Sequence, residues 1–296
     1  MSDRILDISE GPARLSVRLD QLVIERSEHE KLTVPLEELA VLVVSNPWVS
    51  LTQAVLSGIA ASGGSFVACD EKHMPIGMFL PLMGHFVQAE RFARQAEAPL
   101  PTKKSLWAQI IQAKIKAQGR TLLELRSDDH GLLAIARRVR SGDTGNLEAM
   151  ASQRYWPALF GDPAFRRERD ADDQNRHLNY GYAILRAIVA RALCASRLHP
   201  SLGIHHHNRY DAFCLADDLM EPFRPLVDRA VVRIVEKRGP QAPMDKEAKA
   251  ELLEALTGRM TVDGESRTLF DVAARAASSL AAVFEGKAKR LALPEV

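Results

Sequence analysis

Apolar and polar residues change rhythm about a quarter of the way along this chain of 296 residues. Up to about residue 75 the apolar positions alternate with polar ones or run together, as strands require. Leu15, Val17 and Leu19 alternate with polar neighbours, and Leu22 and Ile24 do so again after Asp20-Gln21, which predicts a hairpin. Val34 and Leu36 follow, and the unbroken apolar run from Ala40 to Val44 predicts a strand buried on both faces. Residues 51–62 switch to helical spacing (Leu51, Val55, Leu56, Ile59) and end at Gly63-Gly64, after which Ser65 to Cys69 reads as another apolar strand.

From residue 86 the period becomes 3.6. It predicts helices over 86–98, 104–118, 132–140, 145–160 and 177–198, another after Ala216, and two more over 245–258 and 268–288. Met260 to Arg267, with Asp263-Gly264 at its centre, predicts an isolated hairpin between the last two. Pro75, Gly77, Pro81 and Gly84 punctuate the change of rhythm. The expectation is an α+β chain. A small N-terminal β-rich, β-sandwich-like domain (1–75) leads through a linker (76–85) to a larger all-α domain (86–296).

Composition sets the class: 46% hydrophobic and 26% charged is a globular balance. No apolar run approaches the roughly 20 residues that span a bilayer. The start, Met-Ser-Asp-Arg-Ile-Leu-Asp, lacks a basic stretch leading into an apolar one. Cys69, Cys194 and Cys214 lie far apart without metal-ligand spacing, as reduced core thiols do. Together these predict a cytoplasmic protein with no membrane partner. The net charge of +1 hides a polarity. Residues 1–75 hold 6 Lys/Arg against 11 Asp/Glu, whereas 86–140 hold 11 against 5. The second block includes Lys103, Lys104, Lys114, Lys116, Arg120, Arg126, Arg137, Arg138 and Arg140. Such a block is a candidate polyanion-binding face, and equally a solvated helix surface.

The densest chemistry lies between residues 203 and 229. His205, His206 and His207 are followed by Asp217, Asp218 and Glu221. In a helix, Asp218 and Glu221 stand i,i+3 and Asp217 and Glu221 i,i+4, so the carboxylates share a face. Clustered carboxylates repel unless a cation holds them, although acids in a first turn also stabilise a helix without one. Pro222 and Pro225 interrupt that helix, Pro222 clashing with the carbonyl of residue 218, and a distorted helix beside carboxylates favours a site. Three consecutive histidines cannot all face one ion, so a three-histidine zinc site is excluded and one ligand from the trio is feasible. Glu148, Ser152 and Tyr155 fall on one side of their predicted helix. Phosphate-binding glycine loops, His-Glu-x-x-His and Gly-x-Ser-x-Gly are all absent. What remains is carboxylate, histidine and metal.

Three ordered segments carry a resemblance: Asn146-Leu-Glu-Ala-Met-Ala-Ser-Gln-Arg-Tyr-Trp156, Leu178-Asn-Tyr-Gly-Tyr-Ala-Ile-Leu185, and the stretch from Leu202-Gly-Ile-His-His to Asp217-Asp-Leu-Met-Glu-Pro-Phe-Arg-Pro225. Together they resemble the CRISPR-associated adaptation integrase family, Cas-one, over essentially the full length. The last wording is most similar to type II forms, of subtype II-C. The resemblance implies that Glu148, His206 and Glu221 are the metal ligands and catalytic residues, with Mg²⁺ or Mn²⁺ as cofactor. It leaves the histidine open by one residue among His205, His206 and His207. Asp218, Tyr155 and Arg224 are supporting candidates. The implied reaction inserts protospacer DNA into a CRISPR array by attack of a 3′-hydroxyl on a repeat-boundary phosphodiester, the helical domain being catalytic. Lys103, Lys104, Lys114, Arg137 and Arg138 would then track double-stranded DNA. The implied partners are a second copy, through the N-terminal domain, and a dimer of the Cas-two protein bridging two such homodimers into a heterohexamer. A catalytically idle DNA-binding scaffold of the same assembly is the competing reading. It would be expected to lack a ligand, and all three are retained.

Overall fold

The alternating first quarter of the chain forms two four-stranded sheets, seen in a computed structural model that describes residues 4–27, 30–71, 75–81, 88–168, 170–262 and 264–294. The strands are β1 (Arg4–Ile8), β2 (Ala13–Arg18), β3 (Gln21–Glu25), β4 (Leu32–Pro35), β5 (Leu39–Val44), β6 (Val49–Leu51), β7 (Ser65–Cys69) and β8 (Pro75–Phe79), with helix α1 (Gln53–Ala61) before β7. One sheet runs β1-β5-β7-β8 and the other β4-β3-β2-β6. The predicted hairpin is β2–β3, with Leu15 opposite Ile24 and Val17 opposite Leu22. Leu19, expected to continue the strand, instead forms the two-residue turn with Asp20. Both have positive φ, as a turn matching the twist of the strands needs, and Leu19 is 86% exposed. Leu51 belongs to β6 rather than to α1.

Leu15, Leu22, Ile24, Leu39, Leu42 and Ile59 fill the space between the sheets, as in a sandwich. β5 is buried on both faces, as its unbroken apolar run requires. Leu39 and Leu42 face the inner core, while Val41 and Val43, with Val67, join the core of the helical region. The first sheet also runs into the stretch read as linker, because Pro75–Phe79 pairs antiparallel with β7. Pro75 is tolerated there because β8 is an edge strand.

The helical region comprises α2 (Gln88–Ala96), α3 (Leu100–Arg126), α4 (Leu132–Ala136), α5 (Leu147–Phe160), α6 (Asn175–Ala195), α7 (Cys214–Met220), α8 (Arg224–Arg238), α9 (Lys246–Thr257) and α10 (Leu269–Phe284). Phe86 and Val87, the start of the first predicted helix, lie outside the described residues, as does Asp263. The short hairpin of β9 (Arg259–Val262) and β10 (Glu265–Thr268) is where the pattern put it, and it breaks an otherwise helical region. α3 is longer than predicted. Pro101 in its first turn pre-sets the helical φ, and Ser127 in the left-handed region ends it. α6 is the central helix, and Gly181 lets it approach α8: a Cβ there would collide with Val227 Cγ1. Tyr180 on α6 donates to Asp7 on β1 at 2.8 Å, and Arg191 to the Gly63 carbonyl at 2.5 Å, which ties the helices to the sandwich.

Candidate metal and nucleic-acid site

α3 supplies one wall of the site. Trp107, Lys114 and Gln118 are spaced i, i+7, i+11 and so form one stripe, all buried. Facing the stripe is the start of α5. The Asp143 carboxylate accepts hydrogen bonds from the Leu147 and Glu148 amides, both at 3.0 Å, and caps the helix so that Glu148 stands in its first turn. The third element is the break between α7 and α8. Pro222 and Pro225 each fall at the start of a new helical segment, and Glu221–Phe223 becomes a tight 3₁₀ turn instead of the next turn of α7. That turn aims Glu221 at α3.

The two glutamates converge on one cation, and the cation is a lysine. Lys114 Nζ lies 2.6 Å from Glu148 Oε1 and 2.7 Å from Glu221 Oε2. On its other oxygen Glu221 accepts from Arg224 Nε at 2.9 Å. Burial by itself would raise the Glu221 carboxyl, but Arg224 and Lys114 outweigh it and hold the group down to about 2. Burial likewise disfavours the Lys114 ammonium, and the two glutamates more than restore it. Lys114, expected among the DNA-contacting surface lysines, is thus turned inward. Its place on the apolar stripe of α3 is the reason.

Asp218 does something different from its neighbour three residues on. Fully buried, it accepts from the amides of Ile204 (2.6 Å), His205 (2.9 Å) and His206 (3.2 Å) and pairs with His206 Nδ1 at 2.6 Å. Its oxygens are consumed in folding the 203–206 loop around themselves. Gly203 is needed for that fold, since a Cβ there would run into the His206 carbonyl oxygen. His205 stacks flat on Trp107, with ring centroids 4.1 Å apart, and partial burial lowers its pKa. His206 is raised by its hydrogen bond to Asp218. With Nδ1–H directed at the carboxylate, the Nε2 lone pair is left for another partner. His207 is exposed.

Tyr155 is fully buried. Its hydroxyl donates to Asp228 at 2.7 Å, and Tyr182 donates to the other Asp228 oxygen. Burial pushes Asp228 up to about 6 despite both donors. Arg224 stacks over the Tyr182 ring at 4.5 Å, which links Asp228 through Tyr182 and Arg224 to Glu221. Both tyrosines flanking Gly181 are therefore core residues. Beside this chain of contacts opens a cleft of about 450 Å³ lined by Lys114, Gln118, Arg167, Arg186, Glu221 and Arg224. Arg167, Arg186 and Asp228 drew no notice in the sequence, although Asp228 lies seven residues from Glu221, on the same side of a continued helix.

The basic block divides. Arg126 pairs with Glu236, whereas Lys104, Arg137, Arg138 and Arg140 are exposed and, among the described residues, have no ion-pair partner. Arg137, Arg138 and Arg140 line a pocket with Leu147, at the foot of α5 and one residue from Glu148. The Lys104 stem lies against Gly142 beside them, and Lys103 is half-buried next to it.

Among the described residues, no three His, Cys, Asp or Glu side chains stand close enough together to share an ion. Two observations still fit one. The two carboxylates already share a monovalent cation, and buried Glu221 Oε2 receives no well-directed hydrogen bond despite its contact with Lys114. Two carboxylates and an imidazole oriented by a further carboxylate are a donor set suited to Mg²⁺ or Mn²⁺. No helix among the described residues is long and apolar enough to cross a membrane.

The family described as CRISPR associated protein Cas1 matches residues 6–262. A CRISPR-associated endonuclease Cas1 of Neisseria meningitidis serogroup C (strain 8013) is 36% identical over 299 residues, covering 100% of this chain and 97% of that protein. Among solved structures, a casposase bound to an integration product superposes with a TM-score of 0.79 at 17% identity, covering 98% of this chain and 92% of that one. A chain of a Cas6-RT-Cas1–Cas2 complex gives 0.76 at 17% identity, covering 99% of this chain and 36% of that one. Those two likenesses are of fold, whereas the family match and the Neisseria relative extend to sequence along nearly the whole length: this chain belongs to the Cas1 family of CRISPR-associated proteins.

Proposed function

We propose that this chain is a metal-dependent DNA integrase and endonuclease that inserts protospacer DNA into a CRISPR array. The observation that carries the reading is the convergence of Glu148 and Glu221 on one cation, at the edge of a guanidinium-lined cleft. The Neisseria relative is named an endonuclease and the casposase was solved on an integration product, which support the same chemistry.

In the proposed reaction a 3′-hydroxyl attacks a repeat-boundary phosphodiester, so one P–O bond forms as another breaks. Glu148, Glu221 and Nε2 of His206 would hold Mg²⁺ or Mn²⁺. Such an ion, when bound, would supply charge neutralisation at the phosphoryl oxygens and ease loss of the hydroxyl proton. Arg224 keeps Glu221 oriented from its far oxygen. Asp218 fixes the His206 tautomer so that Nε2 is the donor. Asp228 holds Tyr182, on which Arg224 stacks, and Tyr155 braces Asp228. Lys103, Lys104, Arg137 and Arg138, joined by Arg140, would track the duplex backbone toward Glu148.

The acidic N-terminal quarter suits protein contacts better than DNA. The proposed assembly is a homodimer through the sandwich, with a Cas2 dimer joining two homodimers into a heterohexamer. The Cas6-RT-Cas1–Cas2 neighbour supports the choice of Cas2.

The test is an integration assay with labelled protospacer duplex, a supercoiled plasmid carrying a repeat, the Cas2 partner and Mn²⁺ or Mg²⁺. Joined product is expected from the wild type and is expected to vanish in Glu148→Ala and His206→Ala. DNA binding without joining would favour the idle scaffold, and joining that survives His206→Ala would move the ligand role to His205 or His207.

A further inference from the structure

Lys114 is an unusual residue to find at the centre of a site. It is 8% exposed, midway along α3, with its ammonium against two carboxylates carried by separate elements. Lysines are almost never this buried unless paired, and their strongly hydrated ammonium gives up water reluctantly. Glu148 and Glu221 would repel each other if nothing stood between them. Lys114 is what stands there, in contact with Glu148 Oε1 and Glu221 Oε2.

A second cation between the same two carboxylates would be opposed by the first, because like charges a few ångströms apart repel. The two cations already at Glu221 differ in how they grip it. Arg224 makes a directed Nε–Oε1 hydrogen bond at 2.9 Å from a guanidinium stacked on Tyr182, and so is fixed. Lys114 touches Oε2 at 2.7 Å without a well-directed hydrogen bond there, on a flexible four-carbon stem. Of the two, Lys114 is the displaceable one. It also borders the cleft of about 450 Å³, so the stem has space to swing into.

We infer that Lys114 is an internal counter-cation that holds Glu148 and Glu221 in place until a divalent metal ion replaces it, and that it thereby limits how tightly the site takes the ion. The inference rests on the metal reading above. Holding the carboxylates together without metal keeps them aligned. The same ammonium opposes the incoming ion, so tight binding would wait for a further anion, such as the phosphodiester of the substrate, to draw the lysine away.

The experiment is Mn²⁺ binding by calorimetry and by electron paramagnetic resonance, with thermal melting in Mn²⁺ or chelator, on the full chain without DNA. The proteins are the wild type, Lys114→Met, Lys114→Gln and Lys114→Arg. Removing the charge is expected to tighten Mn²⁺ binding roughly tenfold or more. It should also enlarge the rise in melting temperature on adding Mn²⁺, while Lys114→Arg should do neither. Neutral variants that fold only with Mn²⁺ present would support the inference, since the metal then does the lysine's work. Folded neutral variants that bind Mn²⁺ no more tightly than wild type would overturn it. So would variants that fold under neither condition, which would make the lysine purely structural. Absence of Mn²⁺ binding in every protein, wild type included, would instead overturn the metal reading itself.

Discussion

Between its sheets the N-terminal sandwich buries Leu15, Leu22, Ile24, Leu39, Leu42 and Ile59 and, among the described residues, no charged side chain. The helical region buries Lys114, Arg191, Asp217, Asp218, Glu221, Asp228 and Lys249. Apolar burial stabilises at about 25 cal/mol per Å² with no geometric condition attached. A buried charge is tolerated only with its partners in place, and removing one partner leaves the other stranded. The sandwich is therefore built for stability. The helices spend some of theirs on holding charges where chemistry can use them, and most of those charges lie within or just behind one site.

The contrast can be broken most severely at Asp218. Asp218→Ala strands three amides and the His206 ring, and should lower the unfolding free energy by about 3–5 kcal/mol in urea titrations. An unchanged midpoint would mean that the loop does not depend on this carboxylate. Next comes Leu15→Ala in the sandwich, expected to lower stability by about 3 kcal/mol through reduced burial and a cavity. That decrease should be the same at every pH from 5 to 8 and with or without Mn²⁺, whereas decreases in the site should vary with both.

The pH dependence sharpens the difference further. Asp228 has its folded pKa raised to about 6, so the folded state binds its proton more readily than the unfolded one. Stability from this group is present below about pH 4 and lost as pH rises through 6, by roughly 2–3 kcal/mol at most. Glu221, held down to about 2, acts in the opposite sense: its contribution is full above about pH 4.5 and lost on acidification toward 2. Urea unfolding of wild type and Asp228→Asn at pH 4, 5, 6 and 7 should show the variant gaining on wild type between 4 and 6 and running parallel above. The smallest effect on stability is at the surface. Arg137→Ala with Arg138→Ala should leave the melting temperature unchanged and weaken DNA binding several-fold. The dependence of log affinity on log salt should flatten by about one for each phosphate that is no longer neutralised.

The sequence made some of this legible and concealed the rest for identifiable reasons. The β2–β3 hairpin was readable because alternation at period two has one reading. Leu19 was not, because the turn geometry that the strand twist demands overrides its apolar character. Glu148, His206 and Glu221 could be picked out by motif, but motifs do not say which carboxylates are already spoken for. Asp217, Asp218 and Glu221 looked alike in the chain. In space Asp217 serves Arg186, Asp218 the histidine loop, and only Glu221 meets Glu148 across a shared cation. Lys114 was grouped with surface lysines because a charge count carries no direction. The spacing Trp107, Lys114, Gln118, among Ile110, Ile111 and Ile115, held the information that it points inward.

α3 has one more consequence. Lys104 and Lys114 sit on one uninterrupted helix, ten residues apart, so the rise of an α-helix sets them roughly 15 Å apart along its axis. If Lys104 meets the DNA backbone and Lys114 marks the reacting phosphate, the helix is a ruler. It would fix how far from its first foothold on a duplex the protein makes its join, at a length spanned by roughly four or five base steps.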